Sequence, residues 1–307
     1  MSGTPEPTAG QLDGFIAMME ANRRAQVDHY DLLRRFPSLA DVVVTDREIT
    51  GRHGPVPARV YRAAAPVGAR FVWVHGGAFV AGDLDMYESH WVALELAARG
   101  IAVVALDYRK ALGGVHHPVL SDDVLAGWTA AATDGDLLGE PAGGVHLGGA
   151  SAGGNLAVSV AMRARDGQAP APESLVLVYP NLHETLPEAG PDTSAAAEKL
   201  PAEMRFSRSF MSTINLNYVG SIDGLRDPLA FPALGDLTGL PETYILNAEA
   251  DDLRASGEAF ASDLATAGVP VRVEFEPDTR HGYLDQPDST QAARTIERVV
   301  SWLTDRR

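Results

Sequence analysis

The chain has 307 residues, which is enough for one large α/β domain or two ordinary ones with a substantial core. Of these residues, 45% are hydrophobic and 21% are charged, a balance typical of globular proteins that excludes a disordered chain. The formal net charge of −16 argues against nucleic acid or an anionic membrane as the main partner, because both bind surfaces rich in lysine and arginine.

The chain contains no cysteine, which excludes disulfides, thiolate catalysis and cysteine-ligated metals. The opening stretch MSGTPEPTAG has neither the basic start nor the apolar segment of a signal peptide. No apolar run reaches the ~18 residues that a membrane span needs. We therefore expect a cytoplasmic protein that makes no membrane contact.

The first 40 residues are predicted to be helical after a disordered start at residues 1–10. Between Gln11 and Phe36, apolar side chains recur at the spacing of one helix face, which predicts a helix over 11–36. The residues of that face are Leu12, Phe15, Ile16 and Met19. Two strand-like runs follow, at 41–48 and 57–63.

A regular alternation of strands and helices begins at residue 70. Strands that are apolar on both faces and alternate with helices are typical of a parallel sheet covered on both sides. The predicted strands span 70–75, 101–107, 144–149, 174–179, 243–248 and 270–275, and the predicted helices span 87–99, 121–133, 152–166, 254–267 and 288–305. We therefore predict the α/β class, with a mostly parallel central sheet and helices on both faces.

The alternation breaks between Asn181 and Leu240, where polar, proline-rich sequence surrounds one helical patch. We expect residues 181–235 to form, with the N-terminal helices of residues 1–40, a helical cap over a main domain of residues 41–305. Apolar residues four apart more often pack into a core than line a pocket. The candidate pocket residues are nevertheless Phe79, Phe206, Phe210 and Ile214.

A candidate nucleophile lies in the stretch VHLGGASAGGNLA, which contains Gly149-Ala-Ser151-Ala-Gly153. This G-x-S-x-G pattern follows an apolar strand and opens a helix, which is the setting of a nucleophile elbow. The flanking glycines avoid collisions of a Cβ with the neighbouring strand and helix. Ser151 is thereby predicted to lie exposed at the carboxyl end of the sheet, where such sheets place their active sites.

A serine hydroxyl needs a base, and in this kind of fold the acid and the histidine follow the serine along the chain. Of the nine histidines only His183 and His281 follow Ser151, and His183 comes too soon to leave room for an acid. His281 is therefore the candidate base. Glu249, Asp251 and Asp252 all follow an apolar strand and could each orient its imidazole; spacing does not separate them, and Asp251 is our choice.

The stretch VHGGAFVAGD places two glycines directly after an apolar strand and a histidine. Attack on a carbonyl creates an oxyanion, and backbone N–H groups aimed at it stabilise the transition state by ~3 kcal/mol each. Bare glycines let amides approach the substrate oxygen, and we expect His75 to brace the loop by hydrogen bonding. The candidate oxyanion-hole residues are Gly76, Gly77, Ala78 and Ala152.

Together these motifs resemble the hormone-sensitive-lipase family of α/β-hydrolases, the bacterial carboxylesterases with an HGGG motif. The similarity spans nearly all of residues 40–305 and includes VVALDYR (Val103–Arg109), the segment Gly239–Val271 and HGY at 281–283. It implies an α/β-hydrolase fold with a cap, and Ser151, Asp251 and His281 as nucleophile, acid and base. It also implies hydrolysis of small- and medium-chain carboxylic esters without a cofactor or metal.

Three departures from the family pattern point to a specialised substrate. Ala78 replaces the third glycine of HGGG, and a positive φ there would cost about 1 kcal/mol. Ala150 replaces the usual aspartate before the nucleophile, and YRKALGGVHHP replaces the usual Y-R-L-A-P-E-H-P loop.

Two alternatives to ester hydrolysis stay open. The same three residues could serve amide or lactone hydrolysis, acyl transfer or cyclisation in a biosynthetic pathway, because the pocket and not the fold decides the substrate. A ligand-binding pseudo-hydrolase is a further alternative, although its expected sign would be a broken triad.

The last parallel strand could offer the edge for a homodimer.

Overall fold

The computed structural model describes residues 9–23, 28–62, 65–139 and 144–305. The predicted helix over 11–36 forms two helices, α1 (Ala9–Arg23) and α2 (His29–Arg35), separated by residues outside the described ranges. Asp28 caps α2, because its carboxylate accepts hydrogen bonds from the backbone N–H groups of Tyr30 and Asp31. The predicted disorder of residues 1–10 falls largely outside the described ranges, but its last two residues already belong to α1.

The apolar face of α1 is confirmed in part. Leu12, Phe15 and Ile16 pack against the core, whereas the side chain of Met19 lies outside the description.

In the described ranges, eight strands form a single sheet. They are β1 (Val43–Gly51), β2 (Gly54–Arg62), β3 (Arg70–Val74), β4 (Ala102–Leu106), β5 (Val145–Ala150), β6 (Leu175–Val178), β7 (Thr243–Ala250) and β8 (Val271–Arg280). Their order is β1-β2-β4-β3-β5-β6-β7-β8. β2 is antiparallel to β1 and β4, and the remaining pairs are parallel. The mostly parallel sheet predicted from the apolar runs is thereby confirmed.

Helices cover both faces of the sheet, as predicted. They are α3 (His90–Ala98), α4 (Val119–Thr133), α5 (Gly135–Leu138), α6 (Ala152–Arg165), α7 (Pro191–Ala197), α8 (Arg208–Val219), α9 (Arg254–Thr266) and α10 (Thr290–Thr304). Strand β3 shows why two layers form: Phe71 and Trp73 join the core under α3 and α10, while Val72 and Val74 join the core under α4, α6 and α9.

The region between β6 and β7 contains α7 and α8, and α8 packs against α1. The rings of Phe15 and Phe210 meet edge to face with their centroids 5.3 Å apart. Ser207 caps the start of α8 by accepting the backbone N–H of Phe210, and Gly220 ends it in the left-handed conformation. None of the helices in the described ranges is long and apolar enough to cross a membrane.

Candidate active site

Ser151 lies on a sharp turn between β5 and α6. Its φ and ψ of 52° and −118° are strained for a residue with a side chain, at a cost of about 1–3 kcal/mol. The crossing is so tight that a Cβ on Gly149 would lie 2.4 Å from the backbone of Gly153, and one on Gly153 would lie 2.1 Å from the carbonyl oxygen of Val74. Glycine is therefore required on both sides of the serine.

His281 joins Ser151 to Asp251. Its Nε2 lies 3.0 Å from Ser151 Oγ and its Nδ1 lies 2.7 Å from Asp251 Oδ2. Strands β7 and β8 are neighbours in the sheet, so the loop after each brings its residue to the same edge as the end of β5. The other oxygen of Asp251 accepts the backbone N–H of Leu253, which fixes the carboxylate.

The two competing acids point elsewhere. Glu249 accepts the backbone N–H of Asp278, and Asp252 forms an ion pair with Arg205. Of the three acids that the sequence left open, Asp251 is the one that contacts His281.

The surroundings of His281 act in opposite directions on the pKa of its imidazole. Burial, the largest single influence, would lower the pKa of His281, but the hydrogen-bonded Asp251 carboxylate and the other acidic groups nearby together outweigh burial, so the pKa is raised above its ordinary value. The carboxylates of Glu88 and Asp285 act in the same direction. The site therefore favours a positive charge on the imidazole once a proton arrives there.

The glycine loop after β3 presents backbone amides to the same space. Gly77 has a φ of 111°, and a Cβ there would lie 2.1 Å from the carbonyl oxygen of Ala81. Ala78 follows with a φ of 52°, so the side chain that replaces the family's glycine sits in a strained conformation. Within the described ranges, the N–H groups of Gly77, Ala78 and Ala152 have no acceptor in the protein.

Gly76, which the sequence suggested as a fourth oxyanion donor, has a different contact. Its N–H donates to Glu88 Oε1 at 2.6 Å and is not free for a substrate. The expectation for Gly76 is corrected accordingly.

The loop is braced by His75, as predicted. His75 Nδ1 lies 2.7 Å from the carbonyl oxygen of Gly76, and its Nε2 lies 3.4 Å from Asp107. The Tyr108 ring stacks on the imidazole with centroids 4.7 Å apart, and its hydroxyl donates to the carbonyl oxygens of residues 75 and 76. Lys110, which belongs to the remodelled YRKALGG loop, forms an ion pair with Asp107 at 2.6 Å.

A cavity of about 780 Å³ opens onto Ser151 and His281. Phe206 and Phe210, two of the candidate pocket residues from the sequence, line it. Phe79 and Ile214 do not: Phe79 is fully buried and stacks on Tyr218 with centroids 3.8 Å apart, and Ile214 belongs to the core. Further residues that line the cavity were not expected from the sequence, because no local pattern marks them; they include Phe15, Met18, Met86, Glu88, Met204 and Asp285.

The described residues contain no group of three or more histidine, aspartate or glutamate side chains that could hold a metal ion.

Comparisons with known proteins agree with this architecture. Residues 71–285 match the sequence model of a protein family whose description is "alpha/beta hydrolase fold". The chain is similar to esterase LipI of Mycobacterium tuberculosis, with 34% identity over 85% of this chain and 81% of LipI. It is also similar to an ethyl acetate hydrolase of Pseudomonas putida, with 29% identity over 90% of this chain and 87% of the relative.

The solved structure of an esterase from Pyrobaculum calidifontis superposes with a TM-score of 0.77 and 27% identity, covering 99% of this chain and 95% of that one. The chain therefore belongs to the α/β-hydrolase fold family, and its resemblance to the hormone-sensitive-lipase-like esterases is confirmed.

Proposed function

We propose that the protein is a serine hydrolase that cleaves a carboxylic ester with a small or medium acyl group through an acyl-enzyme. The observation that carries this proposal is the hydrogen-bonded line from Ser151 through His281 to Asp251, next to three backbone amides that have no acceptor in the part of the protein that the structure describes. The printed names of the relatives, an esterase and an ethyl acetate hydrolase, support the same chemistry.

In the first half-reaction His281 Nε2 takes the proton of Ser151 while Oγ forms a bond to the ester carbonyl carbon. The negative charge moves to the carbonyl oxygen, where the N–H groups of Gly77, Ala78 and Ala152 would hold it. Asp251 stabilises the imidazolium. When the carbon–oxygen bond to the alcohol breaks, His281 gives its proton to the leaving alcohol and the acyl group stays on Ser151.

In the second half-reaction water replaces the alcohol. His281 takes a proton from the water as its oxygen attacks the acyl carbonyl, and it returns that proton to Ser151 Oγ as the acyl–serine bond breaks. The products are the carboxylic acid and the free enzyme.

The cap in this proposal consists of the N-terminal helices within residues 1–40 and of residues 181–235. Support comes from the cavity walls, since Phe15 and Met18 of α1 line the same cavity as Ser151, together with Phe206 and Phe210. A volume of about 780 Å³ is within the range of small-molecule sites, and its aromatic walls suit an apolar acyl or alcohol group.

Turnover of p-nitrophenyl acetate and p-nitrophenyl butyrate by the purified protein tests the proposal. Ser151→Ala should abolish turnover and labelling by a fluorophosphonate probe, which reacts only with an activated serine. Ser262→Ala, an exposed serine on α9, is the matched control and should keep wild-type activity and labelling. Wild-type turnover in Ser151→Ala would refute the assignment, and a wild-type protein that neither turns over nor labels would favour a pseudo-hydrolase.

A homodimer through β8 stays a proposal. This strand is at the end of the sheet, and Val273 and Phe275 on it are 42% and 38% exposed. Light scattering after gel filtration tests it: a dimer that Val273→Lys converts to a monomer supports the proposal, and a wild-type monomer contradicts it. The cytoplasmic location is likewise a proposal, which cell fractionation tests.

A further inference from the structure

Glu88 is a buried carboxylate at the wall of the cavity, and the reaction steps above do not use it. It lies just before α3 and is 3% exposed, although a glutamate side chain normally stays in water. Burial of a carboxylate is costly unless hydrogen bonds compensate for the lost water. Its partners therefore indicate what its position achieves.

The two carboxylate oxygens of Glu88 bind two different parts of the active site. Oε1 accepts the N–H of Gly76 at 2.6 Å, directly before Gly77 and Ala78, whose N–H groups have no acceptor among the described residues. Oε2 accepts the hydroxyl of Tyr179 at 2.5 Å. The ring of Tyr179 in turn lies against the imidazole of His281, with centroids 4.8 Å apart.

The backbone of Glu88 extends the same set of contacts. Its N–H donates to Asp285 Oδ1 at 2.9 Å, four residues beyond the histidine of the site. Its carbonyl oxygen accepts the indole N–H of Trp73, from the strand that leads into the glycine loop. One residue thus connects β3, the glycine loop, the end of β6 and the loop after β8.

The local sequence is adapted to this carboxylate. A Cβ on Gly76 would lie 2.8 Å from Glu88 Oε1, so a glycine is needed for the oxygen to reach the amide. Tyr179 has a φ of 38°, a strained value for a residue with a side chain, and its hydroxyl ends at the carboxylate.

We propose that Glu88 is a positioning residue that fixes the loop carrying Gly77 and Ala78 relative to His281. This inference rests on the proposed function, since it concerns the oxyanion hole of the same reaction. A displacement of about 1 Å between the two halves of such a site lowers turnover by up to about 100-fold. Because the ground-state ester depends less on the oxyanion donors, the loss should lie in kcat and not in KM.

Three variants test the proposal with p-nitrophenyl acetate. Glu88→Ala removes both hydrogen bonds, and its kcat should fall by about 10- to 100-fold with KM changed by less than about threefold. Glu88→Gln keeps a side chain of the same shape with hydrogen-bonding atoms, and it should recover most of the lost kcat. Tyr179→Phe removes one contact and should lose an intermediate amount.

A trifluoromethyl ketone inhibitor adds a measurement that a merely structural role would not change. The inhibitor adds to the serine as a hemiketal whose oxyanion occupies the oxyanion hole, so its inhibition constant should rise in parallel with the loss of kcat/KM. Glu95→Ala is the matched control: Glu95 is a second buried glutamate, within α3, but it contacts Trp91 and Arg99 away from the cavity.

A kcat in Glu88→Ala within twofold of wild type, or a loss confined to KM, would overturn the proposal. If Glu88→Ala does not fold, as judged by circular dichroism, then Glu88→Gln and Tyr179→Phe decide: wild-type kcat and inhibition constant in Tyr179→Phe would overturn it. Wild-type protein and Ser151→Ala are measured in parallel. An inactive wild type, or an active Ser151→Ala, would refute the proposed function instead.

Discussion

Replacing Asp251 by asparagine removes the negative charge beside His281 and keeps the size of the side chain. The contact is 2.7 Å long, and the exposed side-chain fractions are 11% for His281 and 0% for Asp251. With an effective dielectric constant of about 20, two unit charges at this separation attract by about 6 kcal/mol. The electrostatic stabilisation of the charged imidazole that forms during the reaction would fall by up to this amount.

The asparagine also changes the tautomer. Its amide would donate to Nδ1, which forces the ring proton onto Nε2, where it blocks acceptance of the Ser151 proton. We expect kcat to fall by about 10⁴-fold, which corresponds to about 5.5 kcal/mol and agrees with the electrostatic figure.

The assay is the steady-state hydrolysis of p-nitrophenyl acetate at a pH where the wild type is fully active. Glu249→Gln and Asp252→Asn are the controls, since the sequence alone allowed either acid to take this place and neither contacts His281. Both should keep kcat within about tenfold of wild type. A kcat for Asp251→Asn within tenfold of wild type, or an equal loss in Glu249→Gln, would refute the reasoning.

Three further predictions concern pH and the strained turns. Because His281 must be neutral to accept a proton and its pKa is raised, kcat/KM should fall with decreasing pH through a value above the ordinary ~6.5; a flat profile down to pH 5 contradicts this. Gly153→Ala should destabilise the fold by about 3 kcal/mol or more in denaturant unfolding, whereas Gly190→Ala, with open space around its Cβ, should change stability by under about 0.5 kcal/mol; equal stabilities would disprove the close approach. Ala78→Gly removes the strain of a φ of 52° but raises the conformational entropy of the unfolded chain, so the two effects oppose each other. The thermal midpoint should therefore rise by only about 1–2 °C, and a fall would show that the strain is absent.

Much of the fold could be read from the sequence because its signals are local. Apolar runs such as 70–75 predict buried parallel strands wherever both faces are covered, and the structure has β3 at Arg70–Val74. Element ends were less predictable. β8 was expected to end near residue 275 but continues to Arg280, since it keeps pairing with β7 and so carries His281 to the site.

Sequence alone was sufficient for the features in which a residue acts through its own backbone or its immediate neighbours. The glycines around Ser151, the bare loop after β3 and the order of serine, acid and histidine belong to this class. Steric exclusion at a tight turn leaves few residue types possible, so the pattern is visible without coordinates.

Contacts between side chains that are distant in sequence became known from the three-dimensional structure alone. Asp251 is the one of the three neighbouring acids that contacts His281, and the N–H of Gly76 donates to Glu88. Phe79 and Ile214 are buried in the core, whereas Phe15, far upstream in the sequence, lines the cavity. Such contacts depend on the direction of each side chain after packing, and packing is set by residues distant in sequence, so no local spacing encodes them.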